Sequence, residues 1–238
     1  VGINGPQGAG KSTLVSALVE RSARHGLRAV GVSIDDFYRT RAAQVALEAQ
    51  FPGNPLLAGR GYPGTHDVEL GTAVLSALCD PRARTPFDVP RYDKGAFGGR
   101  GDRAAQSDWT RVERPLDVVY FEGWMLGFRP VRAEACPDAH WAVPNAALCD
   151  YAAWHASIDA WIVLEASGFA HIAAWRIGAE ANRRAKGHPA MTDSEVRAYI
   201  SRFERAYAIW GPTVRETIGP RPARFLQLTA DRQVDSAR

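Results

Sequence analysis

The chain has 238 residues, 46% of them hydrophobic and 23% charged, with a net charge of +3. That length suits one well-buried domain with insertions, and the composition is ordinary for a globular protein. No apolar run nears the roughly 18 residues of a membrane span, and the arginines are spread along the chain, so neither a membrane nor a nucleic-acid partner is expected.

Residues 1–4 predict a short core strand, and residues 11–25 a helix with Leu14, Leu18 and Val15 facing inward and Gly26 ending it. Residues 28–34 carry a continuous apolar run, as parallel strands do, and 116–121, 158–164 and 224–228 repeat the pattern. This alternation of strand and helix implies a doubly wound α/β domain. Between the second and third strands, residues 51–109 form a long irregular stretch rich in Gly, Pro, Arg and Asp, with a helix at 68–78. A stretch of that length in a compact domain is usually functional. Thr192 to Glu195 form a capping box, and Val196, Tyr199, Ile200, Phe203, Tyr207 and Trp210 then share one helix face, read as packing.

Cys79, Cys136 and Cys149 are odd in number and lack framework spacing, so a reducing, cytoplasmic compartment is expected. Cys136 and His140 have no second pair at zinc spacing. No signal peptide is visible; the sequence opens on Val1, so upstream residues are expected to be missing and a targeting segment among them is left open. Among so many arginines only Lys11, Lys94 and Lys186 are lysines, which marks Lys11 and Lys94 as places that need a compact ammonium.

Three motifs carry chemistry. Gly5, Pro6, Gln7, Gly8, Ala9, Gly10, Lys11 and Ser12 fit the G-x-x-x-x-G-K-[ST] pattern between a strand and a helix, and Thr13 continues it. Glycines let backbone N–H groups turn toward phosphate oxygens, the helix start adds its positive end, Lys11 reaches the β- and γ-phosphates, and Ser12 ligates magnesium. The loop alone supports nucleoside triphosphate binding and no particular reaction. Asp35 and Asp36 follow the second strand at its carboxyl end, where α/β sheets bind ligands. Being adjacent, they point different ways, and one faces the site to accept a hydroxyl proton. Glu122 ends the third strand before Gly123, the layout of an acid that holds magnesium directly or through water. The long stretch then offers Arg60, His66, Asp67, Arg91, Tyr92, Lys94 and Arg103 for an anionic substrate. Arg176, Arg183 and Arg184 lie on a helix after the fourth strand; a solvated face suffices for the last two.

In this order the motifs resemble the superfamily of phosphoribulokinase, uridine kinase and bacterial-type pantothenate kinase. Gly5-Pro-Gln-Gly8, Ser33-Ile-Asp-Asp-Phe-Tyr38, Asn54-Pro-Leu-Leu57, Arg60-Gly61, Gly64-Thr-His-Asp67, Pro90-Arg-Tyr-Asp-Lys94 and Phe121-Glu-Gly-Trp-Met-Leu-Gly-Phe128 are similar to the plant and fungal D-glycerate 3-kinases over nearly the whole chain. The resemblance implies a three-layer P-loop NTPase fold with a five-stranded parallel sheet in the order 2-3-1-4-5. It also implies a substrate-binding insertion at about 51–109 and a helical lid at about 168–195. It implies phosphorylation of the 3-hydroxyl of D-glycerate by ATP with Mg2+. By position Asp35 matches the catalytic base, Glu122 the acid after the third strand, Arg176 the lid, and Asp67 with 91–94 the substrate side, which Asp36 and Tyr38 join. Cations among Arg60, His66, Arg91, Lys94 and Arg103 are then expected to hold the glycerate carboxylate. Gly95, where the pattern has Ser, and Arg114, where it has Gly, depart from it. They leave open pantothenate, a nucleoside or another small alcohol as acceptor. A nucleotide-binding regulator without transfer activity is the second class; an N-K-x-D guanine motif is absent.

Overall fold

The computed structural model describes residues 1–187 and 190–237. Five strands run parallel: β1 (Gly2–Asn4), β2 (Ala29–Ser33), β3 (Val118–Gly123), β4 (Trp161–Ala166) and β5 (Ala223–Leu228). Their order across the sheet is 2-3-1-4-5, as the resemblance implies. A sixth strand, β6 (Val234–Ala237), extends the sheet antiparallel to β5 after a tight turn closed by Thr229 and Gln233. It is an addition to the five expected. Its residues are mostly exposed, with Asp235 and Ser236 at its centre, so it lacks the apolar run of β2 and β3.

The two faces of the sheet bury different clusters. Leu164 and Leu228 pack with Ala9, Ile172, Trp175, Val196 and Ile200 on one side. Val32, Phe121, Trp161 and Val163 pack with Val74, Trp154, Trp210 and Val214 on the other. Helix α1 (Lys11–Arg24) lies on β2 and β3 and ends before Gly26, whose φ of 74° only glycine adopts readily. Its inward residue is Val15; Leu14 and Leu18, expected to face in, are only half-buried. Val15 is directly over Gly31 of β2, so the helix sits closer to the strand than a larger residue would allow.

The stretch 51–109 is better ordered than its composition suggests. After α2 (Arg41–Gln50) comes α3 (Val68–Leu78), whose Leu70 amide donates to Asp67 Oδ1 at 3.1 Å. Two short antiparallel ribbons follow, Phe87–Val89 with Thr110–Val112 and Tyr92–Asp93 with Asp102–Arg103. Arg114 donates to Ala77 O at 2.8 Å and to Thr85 O at 2.7 Å, tying the end of α3 to the lead-in of β3. Beyond β4, α4 (Phe169–Ala185) packs against α5 (Asp193–Trp210), which opens on the expected capping box of Thr192 and Glu195. No helix among the described residues is long and apolar enough to cross a membrane.

A Cβ added at Gly31 would lie 2.3 Å from Val15 Cγ1, and Val15 is itself buried. Gly31→Ala is therefore expected to lose about 1–3 kcal/mol of stability by forcing α1 off the sheet. Urea unfolding measures it, and an unchanged midpoint would mean that α1 is not held at this distance.

Candidate active site

The carboxyl edge of the sheet gathers three chain segments. β1 leads into the glycine-rich loop, whose Gly8 and Gly10 have φ of 80° and 91°. A Cβ on Gly8 would lie 3.1 Å from the Arg176 amide nitrogen, so this position needs glycine both for its backbone conformation and for close approach of α4. Gly10 is the N-cap of α1 and supplies no side-chain cap, which leaves the first helical amides available to an anion. Pro6 O accepts from Lys11 Nζ at 3.1 Å, and Gln7 Oε1 accepts from Tyr207 OH at 2.9 Å. Thr13 is exposed on α1.

Ser12 Oγ donates to Glu122 Oε1 at 2.7 Å. The bond joins the start of α1 to the end of β3 and places two oxygen donors side by side, one of them on a buried acid. Hydroxyl and carboxylate oxygens are the ligands magnesium prefers, so the pair fits that ion. Lys11 is half-buried near it. Burial pushes its ammonium down, and Glu122 and Asp35 oppose the change.

Beyond β2 the chain makes one turn of 3-10 helix over Ile34–Phe37, capped by Ser33. That turn separates the adjacent carboxylates. Asp35 accepts from Lys94 Nζ at 2.5 Å. Burial pushes the Asp35 carboxyl up, but the Lys94 ammonium and a bond from Tyr38 outweigh it and hold the acid below its usual range. Lys94 is likewise depressed by burial and raised by Asp35, ending above its usual value. Asp36 turns away and is buried, accepting from Arg91 Nη1 at 2.9 Å. Burial dominates there and pushes the carboxyl up to about 6.

The expected substrate cations do not all meet at the site. Arg60 donates to the carbonyls of Gly99 at 2.8 Å, Arg100 at 2.6 Å and Lys94 at 3.3 Å, and its guanidinium lies over Tyr92. It holds the 94–101 loop in shape. Arg103 Nη2 donates to Asp67 Oδ2 at 2.7 Å, which fastens the ribbon to the cap of α3. His66 is not a cation. It is buried and stacked on Tyr38 with centroids 4.4 Å apart, because the two residues face each other in an antiparallel bridge. Tyr151 OH accepts from the Gly64 amide and lies within hydrogen-bond distance of His66 Nδ1, at 2.8 Å. Burial pushes the His66 pKa down to about 3.

Two site features escaped the sequence reading. Tyr199, assigned to a packing stripe, faces the charged centre: burial and then the Asp35 carboxylate push its phenol up, while Arg176, Lys94 and Arg60 pull it down. The second is the pair formed by Arg176 and Glu180, one helical turn apart at 2.5 Å. The i, i+4 spacing is visible in the sequence, but burial of Glu180 is not. Together the segments present a phosphate-sized cradle, a paired hydroxyl and acid, and a carboxylate–ammonium pair, with an arginine above them.

No family model matches the chain. It is 40% identical over 239 residues to the chloroplastic D-glycerate 3-kinase of Arabidopsis thaliana, an alignment covering 98% of this chain and 52% of that protein. The chain thus spans about half the length of the plant relative. It is 36% identical over 234 residues to the uncharacterized kinase mug58 of Schizosaccharomyces pombe, covering 93% of this chain and 84% of the other. The solved structure of D-glycerate 3-kinase from Cryptococcus neoformans superposes with a TM-score of 0.90 at 30% identity, covering 100% of this chain and 88% of that one.

The burial of neutral His66 makes stability depend on pH. Its folded pKa lies near 3 and its unfolded value near 6.5, so below about pH 6.5 the unfolded chain binds a proton that the folded chain refuses. Stability is therefore lost as pH falls through that window. Going from pH 6.5 to 5, His66→Phe is expected to lose about 2 kcal/mol less than the unsubstituted protein in urea unfolding. Equal losses in both proteins would contradict the buried neutral imidazole.

Proposed function

This chain belongs to the D-glycerate 3-kinase family of P-loop kinases, and we propose that it transfers the γ-phosphate of ATP to the 3-hydroxyl of D-glycerate, giving 3-phosphoglycerate and ADP. The observation that carries this reading is the contact of Lys94 with Asp35 at 2.5 Å, beside Lys11 of the glycine-rich loop. A proton acceptor and a carboxylate-binding cation in contact suit an acceptor whose alcohol and carboxylate are a few bonds apart. Glycerate, with three carbons, has that spacing.

The triphosphate lies along the glycine-rich loop, its oxygens facing backbone amides and Lys11. Ser12 and Glu122 would hold magnesium, which when bound neutralises charge on phosphate oxygens. The acceptor carboxylate engages Lys94, and Arg91, paired with Asp36 nearby, adds positive potential. Once Lys94 is shared with that carboxylate, Asp35 loses part of the interaction that depresses its pKa and becomes a better proton acceptor. The 3-hydroxyl gives its proton to Asp35 as its oxygen bonds to the γ-phosphorus. The bond from that phosphorus to the β,γ-bridging oxygen breaks, and ADP leaves with the electron pair. Lys11 stabilises the charge that builds on the departing oxygen, and Arg176 faces the transferring group from α4.

On this reading residues 51–109 form the substrate-binding insertion, held in shape by Arg60, Arg103 and Asp67, with Lys94 and Arg91 turned to the acceptor. Residues 168–195 form the lid; residues 188 and 189 of it lie outside the described residues.

Asp35→Asn is expected to lower kcat by about a thousandfold while ATP affinity stays within a few fold, since general-base groups contribute on that order. Retention of the original kcat would remove Asp35 from the chemistry. Lys94→Gln is expected to raise KM for D-glycerate at least tenfold. Release of ADP measured across a panel of alcohols tests the acceptor, and turnover of pantothenate or a nucleoside without turnover of D-glycerate would refute it.

A further inference from the structure

Helix α4 carries Arg176 over the glycine-rich loop, and Glu180 lies one turn further along the same helix. Glu180 is 3% exposed, which is unusual for a carboxylate on a helix that borders solvent. Its Oε1 lies 2.5 Å from Arg176 Nη2. Its Oε2 accepts from the Met191 amide at 3.0 Å and lies 3.9 Å from Arg183 Nε. One buried side chain thus joins the lid arginine to the segment that leads into α5. Arg176 Nε is also buried and has no hydrogen-bond partner, although the guanidinium as a whole is about one-third exposed.

The geometry points to Glu180 as the positioning residue that fixes Arg176 for phosphoryl transfer, an inference that rests on the kinase reading above. An arginine side chain has several rotatable bonds, and a free one would sample many rotamers over the loop. The bond to Glu180 engages one edge of the guanidinium and leaves its remaining donors for the phosphate. The Arg176 backbone packs directly on Gly8 of the glycine-rich loop, which puts this turn of α4 beside the phosphate cradle. Burial shields the Glu180 carboxylate from water, and the Met191 amide fixes that carboxylate, which does the holding. Glu180 touches neither substrate nor phosphate; its effect on rate passes through Arg176.

The test is a double-mutant cycle with D-glycerate and ATP. Glu180→Gln keeps the side-chain shape and an acceptor for the Met191 amide but removes the charge. It is expected to lower kcat about tenfold or more with KM for ATP changed less than threefold. In an Arg176→Ala background the same substitution is expected to change kcat less than twofold. A similar further loss in that background would mean that Glu180 acts through the fold and not through Arg176, and would overturn the proposal. So would an Arg176→Ala variant that is slow beside a Glu180→Gln variant that is not. If Arg176→Ala keeps full kcat, the lid role assigned to Arg176 fails, and with it any positioning by Glu180. A second readout needs no acceptor: the Nε–H resonance of Arg176, assigned by its loss in Arg176→Ala, is expected to be sharp in the unsubstituted protein and broadened in Glu180→Gln. An equally sharp signal in both proteins would show that Glu180 does not hold the guanidinium.

Discussion

The hydrogen bond from Ser12 to Glu122 joins the two halves of the site, and the register of the sheet makes it possible. β3 lies between β1 and β2, with Glu122 level with Ile3 on one side and with Ser33 on the other. The glycine-rich loop leaves β1 two residues later, and Asp35 follows β2 by one turn. Three segments distant in the chain therefore end at one edge of the sheet. Gly123 after the acid is needed for the same reason: a Cβ there would lie 2.5 Å from Ile34 Cδ1, the residue that starts the turn to Asp35. A slip of one residue in β3 would turn Glu122 to the opposite face and separate it from Ser12.

Charge balance follows from that packing. Lys11, Glu122, Asp35 and Lys94 lie close together, Glu122 buried and Lys94 reaching in from the exposed side, and opposite charges nearby raise or lower the pKa values of Lys11, Asp35 and Lys94. Removal of one would leave another with less compensation. In the proposed reaction, this pairing lets an incoming anionic acceptor change the state of Asp35 by engaging Lys94. The insertion serves this arrangement in a less direct way. Arg60 and Arg103 bind carbonyls and a helix-capping acid, which shapes the loops that carry Lys94 and Arg91 to the mouth of the site.

Much of the fold was legible because parallel strands buried on both faces leave continuous apolar runs, as in β2, β3 and β4, whereas β5 is interrupted by Arg224 and Gln227. β6 was not legible, since its short, mostly exposed segment with Asp235 and Ser236 at the centre carries no such signal. In α1 the periodicity suggested Leu14, Leu18 and Val15, and of the three Val15 is the one fully buried because Gly31 lets the helix approach there. At the site, the glycine-rich loop and Glu122 were readable from local pattern, because glycine spacing and a strand-ending acid are short-range features. The separation of Asp35 from Asp36 was also foreseeable from their adjacency, though not which of them would meet Lys94.

What the sequence determined alone was a set of local patterns: the glycine-rich loop with Lys11 and Ser12, the strand-ending acid Glu122 and the adjacent aspartates. Their spacing along the chain encodes these features, since each depends on a few neighbouring residues. Tertiary structure decided how the remaining polar residues divide between chemistry and support. His66 is neutral because it is buried among the rings of Tyr38, Tyr151 and Trp154, Arg60 and Arg103 hold loops because carbonyls and Asp67 lie within reach, and Arg176 pairs with a Glu180 carboxylate that is itself buried. Burial and contact across long sequence separations set those roles, and neither is written in local residue order.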